Sequence, residues 1–278
     1  MMTKPPMLKS PFNRGDSRRG NPRPTRPLRP GRAIFAAGAL CALLASSALA
    51  RANFCERAEV VRDAVVAVLK TQGRLRAGET CADVTRADLR AVKKLDLPAA
   101  RDATLPPNAF HGLSELRVLD LRGLPLDSLP AGVFQGLPKV TVLELPGRPS
   151  NNKTKLAPGV FDGLSALPVL DLSFHNREQL QPGVFRGLSS LRELDLSNNY
   201  LRTLPAGLFA DVPRLRRLNL SANNIRNLPV NVFAELAKLE RLDLRHNPFH
   251  SYGGLSAAVF NGLPEAAIIR GAVRPPAH

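Results

Sequence analysis

The chain has 278 residues, a net charge of +16, a hydrophobic content of 44 %, no tryptophan and two tyrosines. That length allows one elongated domain plus a leader, and the composition suits an architecture that needs no large globular core. The charge does not argue for nucleic acid: nine Lys and Arg lie in residues 1–32 against one acid, Asp16, and no aromatic stacking platform is visible.

Residues 1–32 are rich in Pro, Arg and Gly, cannot bury a core, and read as a disordered basic leader. The run AIFAAGALCALLASSALA at 33–50 follows, with a basic region before it and small residues at its end. Ala48-Leu49-Ala50 and Ala50-Arg51-Ala52 both fit an A-x-A cleavage site, so 33–52 reads as a signal peptide. The competing reading is an uncleaved anchor, since the apolar run borders on a membrane span. A start codon placed too early would explain the long basic region. Cys41 follows Leu40 rather than a small residue, which argues against a lipoprotein acceptor.

Cleavage leaves Cys55 and Cys81. An even count in an exported chain points to a disulfide, which would contribute about 3 kcal/mol in the chain-entropy model. Two unpaired buried thiols are the alternative. Neighbouring zinc ligands are missing.

Residues 53–91 predict a helical amino-terminal cap. In 56–70 the stripe Val60, Val61, Ala64, Val65, Val68 and Leu69 recurs at helical spacing. A short second helix follows, with Thr85 and Asp88 in a capping-box arrangement. Leu89 and Val92 then lead into a first strand near Lys94 to Leu97.

Residues 92–270 repeat. LRELDLSNNYLRTLPAGLFADVPR at 191–214 matches LRRLNLSANNIRNLPVNVFAELAK at 215–238 position for position. The phenylalanine recurs at Phe110, Phe134, Phe161, Phe185, Phe209, Phe233 and Phe260, in steps of 24, 27, 24, 24, 24 and 27. The strand leucine recurs in step at Leu95, Leu119, Leu143, Leu170, Leu194, Leu218 and Leu242, with Ile269 as a decayed last copy. Side chains alternate along a strand, so the LxL leucines point inward and the phenylalanines form a stacked structural spine.

This pattern resembles the leucine-rich repeat family, of the 24-residue extracellular type seen in Toll-like receptor ectodomains and small leucine-rich proteoglycans. The resemblance implies an α/β fold: a curved leucine-rich repeat solenoid, parallel strands lining its concave face, with an α-helical amino-terminal cap. Cys-x-Arg, VRDAVV and CADVTRADLRAVKKLDL resemble the cap of secreted bacterial leucine-rich repeat proteins. The family asparagine that bonds turn backbone between coils is present at Asn199, Asn223 and Asn247; Ala100, Leu124, Arg148 and His175 stand at the earlier positions. The longer units carry insertions near 148–155 (RPSNNKTK) and 250–254 (HSYGG), where either specificity or tolerated drift can reside. Asn152-Lys153-Thr154 is a sequon that matters only on a eukaryotic secretory route. Ala266 to Arg270 makes a poor last strand, and 271–278 forms a short tail.

Family members mostly bind ligands with the concave face and are not enzymes. Its central column would be Asp96, Asp120, Glu144, Asp171, Asp195, Asn219 and Asp243, an acidic ladder for cations or basic partners, or simply the habit of LDL in this repeat. The preceding column holds Lys94, Val118, Val142, Val169, Glu193, Arg217 and Arg241. The following one holds Pro98, Arg122, Pro146, Ser173, Ser197, Ser221 and Arg245. Three neighbouring valines give a contact patch in the first half, and arginines gather toward the carboxy end. The expected ligand-binding set is therefore Val118, Asp120, Arg122, Val142, Glu144, Val169, Asp171, Glu193, Asp195, Arg217, Asn219, Arg241, Asp243 and Arg245. The expected partner is a protein, with no cofactor, no metal, no nucleic acid, and no stable membrane insertion unless the apolar segment is retained.

Catalysis is not expected. No nucleophile elbow, P-loop, dinucleotide fingerprint or HExxH occurs, and Pro248 breaks the His246–His250 pair as a helical metal site. The expected location is extracellular or periplasmic, or at a membrane held by residues 33–50. A structural envelope or matrix component is the remaining alternative to a dedicated binder.

Overall fold

The structure, a computed structural model, describes residues 54–100, 103–124, 128–145 and 155–272. The leader, the apolar segment, the tail beyond residue 272 and most of the 148–155 insertion lie outside the described residues.

The chain begins with a small helical cap. Helix α1 (Glu59–Thr71) buries Val61, Ala64, Val65 and Leu69, one stripe of the expected helix, while Val60 and Val68 are only partly covered. A disulfide joins Cys55 to Cys81, with Cα atoms 5.3 Å apart, and so ties the segment before α1 to the 3-10 turn Cys81–Asp83. Helix α2 (Arg86–Ala91) starts with the anticipated box: Thr85 Oγ1 accepts from the Asp88 amide, and the Asp88 carboxylate accepts from the Thr85 amide. The same device, unforeseen, opens the preceding turn at Thr80 and Asp83. Such caps are each worth about 1 kcal/mol and fix where the helices begin.

The repeats follow as stacked coils, one strand per coil on a common face. These strands are β1 (Lys94–Asp96), β2 (Val118–Asp120), β4 (Val142–Glu144), β6 (Val169–Asp171), β7 (Glu193–Asp195), β8 (Arg217–Asn219), β9 (Arg241–Asp243) and β10 (Ile268–Arg270). All pairing is parallel, and the register places each inward leucine on the next, as in Leu194 on Leu218 on Leu242. The middle residue of each repeat strand from β1 to β9 is buried, because the layer behind it is filled by the later apolar positions of the same coil. A minor two-stranded ladder, β3 (Ser128–Leu129) with β5 (Lys155–Leu156), lies elsewhere on the coils and buries Leu129 and Leu156.

The phenylalanines are fully buried and stack. Ring centroids are 6.1 Å apart for Phe110–Phe134, 6.2 Å for Phe134–Phe161 and Phe185–Phe209, and 5.9 Å for Phe209–Phe233. Hydrogen-bonded strands stand closer, about 4.8 Å apart. Stacked units spaced more widely at the rings than at the strands must bend with the strands on the inside, which makes the strand-lined face the concave one.

Turns hold the coils in register. Asn199 Oδ1 accepts from the His175 and Arg177 amides, and its Nδ2 donates to the carbonyls of Leu172, Leu196 and Ser197. Asn223 and Asn247 repeat the arrangement one and two coils on. In the coil before this series His175 takes the asparagine position. It is buried, and its Nδ1 lies 2.6 Å from the Ser173 carbonyl, so Nδ1 carries the proton. A further turn position requires positive φ and is filled by Asn108, Gly132, Gly159, Gly183, Gly207 and Asn231, residues that tolerate the left-handed region. Backbone bonds run along this turn from coil to coil, for example Gly159 to the Gly183 carbonyl at 3.0 Å.

The strand surface is not continuous. It divides into a three-stranded sheet, β1-β2-β4, and a five-stranded sheet, β6-β7-β8-β9-β10. At the joints from β1 to β4 and from β6 to β9 the residue just before the strand donates its amide backward, as Arg117 does to Lys93 and Arg192 does to Pro168, both at 2.8 Å. Pro168 occupies that place before β6 and has no N–H to give. The 27-residue spacing from Phe134 to Phe161 falls in the same coil. The second insertion folds instead as a 3-10 turn, Pro248–Tyr252, closed by left-handed Gly253 and Gly254, and it buries Phe249.

Candidate ligand-binding face

The three expected columns form, within each sheet. Lys94, Val118 and Val142 lie side by side in register, as do Val169, Glu193, Arg217 and Arg241. The central column aligns likewise, from Asp96 to Glu144 and from Asp171 to Asp243. Pro146, of the following column, lies outside the described residues.

The central column is largely engaged in local structure. Asp120, Asp171, Asp195, Asn219 and Asp243 each accept, through Oδ1, the amide two residues ahead. The LDL habit is thus an Asx turn that ends each strand. Arg122 also reaches back in a bidentate contact to Asp120, and Arg245 does the same to Asp243. Those guanidinium hydrogen bonds hold both carboxyls below the usual carboxylate range. Asn219 Nδ2 donates to Asp195 at 3.0 Å, and Lys94 pairs with Asp96 at 2.8 Å. Much of the column is thus tied into turns and local pairs, while the carboxylates of Glu144 and Asp171 stay exposed. Among the described residues no group of three or more His, Cys, Asp and Glu gathers as a metal site.

The preceding column is the accessible one. Val142 is 40 % exposed, Val169 49 % and Ile268, at its far end, 52 %. Val118 is half-buried. Of the arginines expected to act together, Arg217 pairs with Glu193 at 2.7 Å and Arg245 is taken up by Asp243. Arg241 is exposed, directly opposite Arg217, with no ion pair among the described residues. A hollow runs along β6 to β10, walled by Val169 at one end and Ile268 and Arg270 at the other; Arg217 and Arg241 lie between, together with the carboxylates of Asp171, Glu193, Asp195 and Asp243.

Two features escaped the sequence argument. The first is the row of cations just before the strands: Arg214 and Arg216 in one coil, Lys238 in the next, visible as the aligned segments PRLRRL and AKLERL. A second hollow opens beside them, lined by Arg216, Lys238, Glu240, Arg241, Pro264 and Ile268. The second is a pair of exposed aromatics beyond the strand ends, Phe174 and Tyr200, Phe174 with a left-handed φ of 56°.

Comparison with known proteins matches this geometry. A family model for the leucine rich repeat fits residues 90–147, 149–201 and 190–249. No curated protein sequence matches the chain. Among solved structures, TLR13 in its complex with ssRNA13 is 30 % identical, with a TM-score of 0.56, covering 66 % of this chain and 25 % of that one. The Toll–Spatzle complex of Drosophila gives 27 % identity and a TM-score of 0.52, covering 66 % and 23 %. This chain thus spans about a quarter of the length of either structure. Stacked parallel strands, inward leucines, turn asparagines and the model match agree, and the chain belongs to the leucine-rich repeat family.

Proposed function

We propose that this chain is a non-enzymatic, exported binding module that takes a protein ligand on its concave, strand-lined face. In this reading residues 33–52 direct export, 53–91 cap the stack, 92–270 form the recognition surface and 271–278 are a tail. The observation that carries it is the exposure of Val142 and Val169 on the two strands that face each other across the joint between the sheets, beside polar groups many of which are engaged in turns and ion pairs. Apolar side chains left open on such a surface favour contact with another macromolecule. The solved neighbours, TLR13 with ssRNA and Toll with Spatzle, are ligand complexes of the same fold, which supports binding in general. A disulfide in the cap suits an oxidising compartment outside the cytoplasm.

The test compares capture from secreted and surface fractions by the wild-type protein, by Val142→Lys/Val169→Lys, and by Gln135→Lys/Ala210→Lys beside the phenylalanine spine. Loss of the captured protein only with the first pair is expected. Equal capture by all three would remove the strand-lined face from the account. Mass spectrometry of the mature amino terminus checks the export signal: a terminus near Arg51 is expected, and a retained residue 33–50 segment contradicts it.

A further inference from the structure

We infer that the carboxy-terminal end of this face recognises an acidic polypeptide segment carrying an apolar residue, and that Arg241 and Lys238 are its carboxylate-binding groups. This rests on the concave-face reading and specifies the partner's chemistry there.

Two hollows meet at one place. The one along β6 to β10 and the one before the strand starts share Arg241 and Ile268. In the register Glu193 faces Arg217, and the next step, to Arg241, repeats the positive sign. Glu193 neutralises Arg217, and Glu240 neutralises Arg216. Arg241 sits opposite Arg217, and like charges placed across a ladder repel. On its other side the register gives Ile268, an exposed aliphatic chain rather than an acid. Arg241 and Lys238 are therefore exposed cations with no ion pair among the described residues, set beside an apolar wall of Ile268 and Pro264. A carboxylate delivered from outside supplies the counter-charge that Arg241 lacks, and the guanidinium fork donates to it in bidentate fashion. An adjoining aliphatic residue of the same segment covers Ile268.

The chemistry separates the possible polyanions. Single-stranded nucleic acid needs aromatic faces for its bases, and neither hollow has an aromatic lining residue. A sulfated polysaccharide supplies charge but nothing to cover the aliphatic wall. An acidic and apolar peptide supplies both.

The experiment uses the full chain and fluorescence anisotropy with four labelled probes: the peptide (Asp-Glu-Leu)4, its uncharged counterpart (Asn-Gln-Leu)4, oligouridylate and a heparin oligosaccharide. The acidic peptide is expected to bind best, with affinity falling as salt rises. Lys238→Glu/Arg241→Glu should weaken it by roughly tenfold or more, the scale of one or two lost charged contacts. Arg241→Gln serves as a milder variant should the double reversal unfold. Arg90→Glu/Arg202→Glu, equal in charge change but placed elsewhere, should leave binding unaltered. Tighter binding of oligouridylate or heparin, equal binding of the uncharged peptide, no binding of the acidic one, or indifference to the 238/241 change would each overturn the inference. None of these touches the valine experiment above, so the two readings fail separately.

Discussion

Replacing Asn199 by alanine removes the most heavily used side chain in the stack. Its Oδ1 serves two buried amides, those of His175 and Arg177, and its Nδ2 serves three carbonyls. The carbonyls have other donors: Asn223 Nδ2 also reaches Leu196, and the Phe174 amide reaches Ser197. Both amides lose their side-chain acceptor, and a buried donor left unmade costs about 1–3 kcal/mol. Asn199→Ala should therefore cost about 2–6 kcal/mol, a large share of the roughly 5–15 kcal/mol typical of a domain. Asn247 serves one amide, that of Ile225, from a half-buried position, so Asn247→Ala should cost about 1–2 kcal/mol. Urea unfolding followed by circular dichroism measures both, with unchanged m-values needed for the comparison. An Asn199→Ala penalty no larger than that of Asn247→Ala would refute the accounting.

Two more perturbations test the same stack. Burial and then the Arg177 charge hold the His175 pKa below its ordinary value, partly opposed by its bonds to Ser173 and Leu172. The folded state then binds fewer protons than the unfolded one, so this group's stability is intact above about 6.5 and is lost as pH falls below it. Melting temperatures recorded from pH 8 to 5 should drop more for wild type than for His175→Asn, which restores a neutral amide; parallel curves would contradict the assignment. A Cβ at Gly163 would meet the Phe134 carbonyl at 2.4 Å, whereas one at Gly183 meets nothing within 4 Å, and both have positive φ. Gly183→Ala should cost about 1–2 kcal/mol for the left-handed backbone alone, and Gly163→Ala roughly twice that or more, by the same unfolding assay.

Much of the fold could be read in advance because the repeat is strict. Each phenylalanine and strand leucine is named by its spacing, and spacing fixes which residues share a layer. The cap was legible for a different reason: Thr85 and Asp88, and the stripe through Val61, Val65 and Leu69, are local signals. What the pattern concealed lay between coils. Pro168 looks like any residue ahead of a strand until one asks whose carbonyl its missing amide should have served. The central carboxylates, counted as surface charge, turned out to close the turn two residues ahead. Their role depends on the backbone direction after the strand, which periodicity does not specify. His175 departs from the asparagine pattern in letters yet occupies the same place, since an imidazole can also donate to a turn carbonyl. On the site itself, three aligned columns followed from alternation alone, but pairing within them did not: Arg217, Arg241 and Arg245 look alike in sequence and differ in having a neighbour to hold.

The interruption beside Pro168 bears on cooperativity. In a linear stack each coil is held only by those above and below, so the strength of the whole is limited by its weakest junction. At every other junction from β1 to β10 a strand ladder adds to packing and turn bonds; between β4 and β6 the turn bond from Gly159 to the Gly183 carbonyl remains, but among the described residues no strand ladder forms. Val142 and Val169 flank this joint on the open side. Anything that lies across both valines splices the two segments, and its grip on the surface becomes, at the same time, mechanical continuity for the chain beneath.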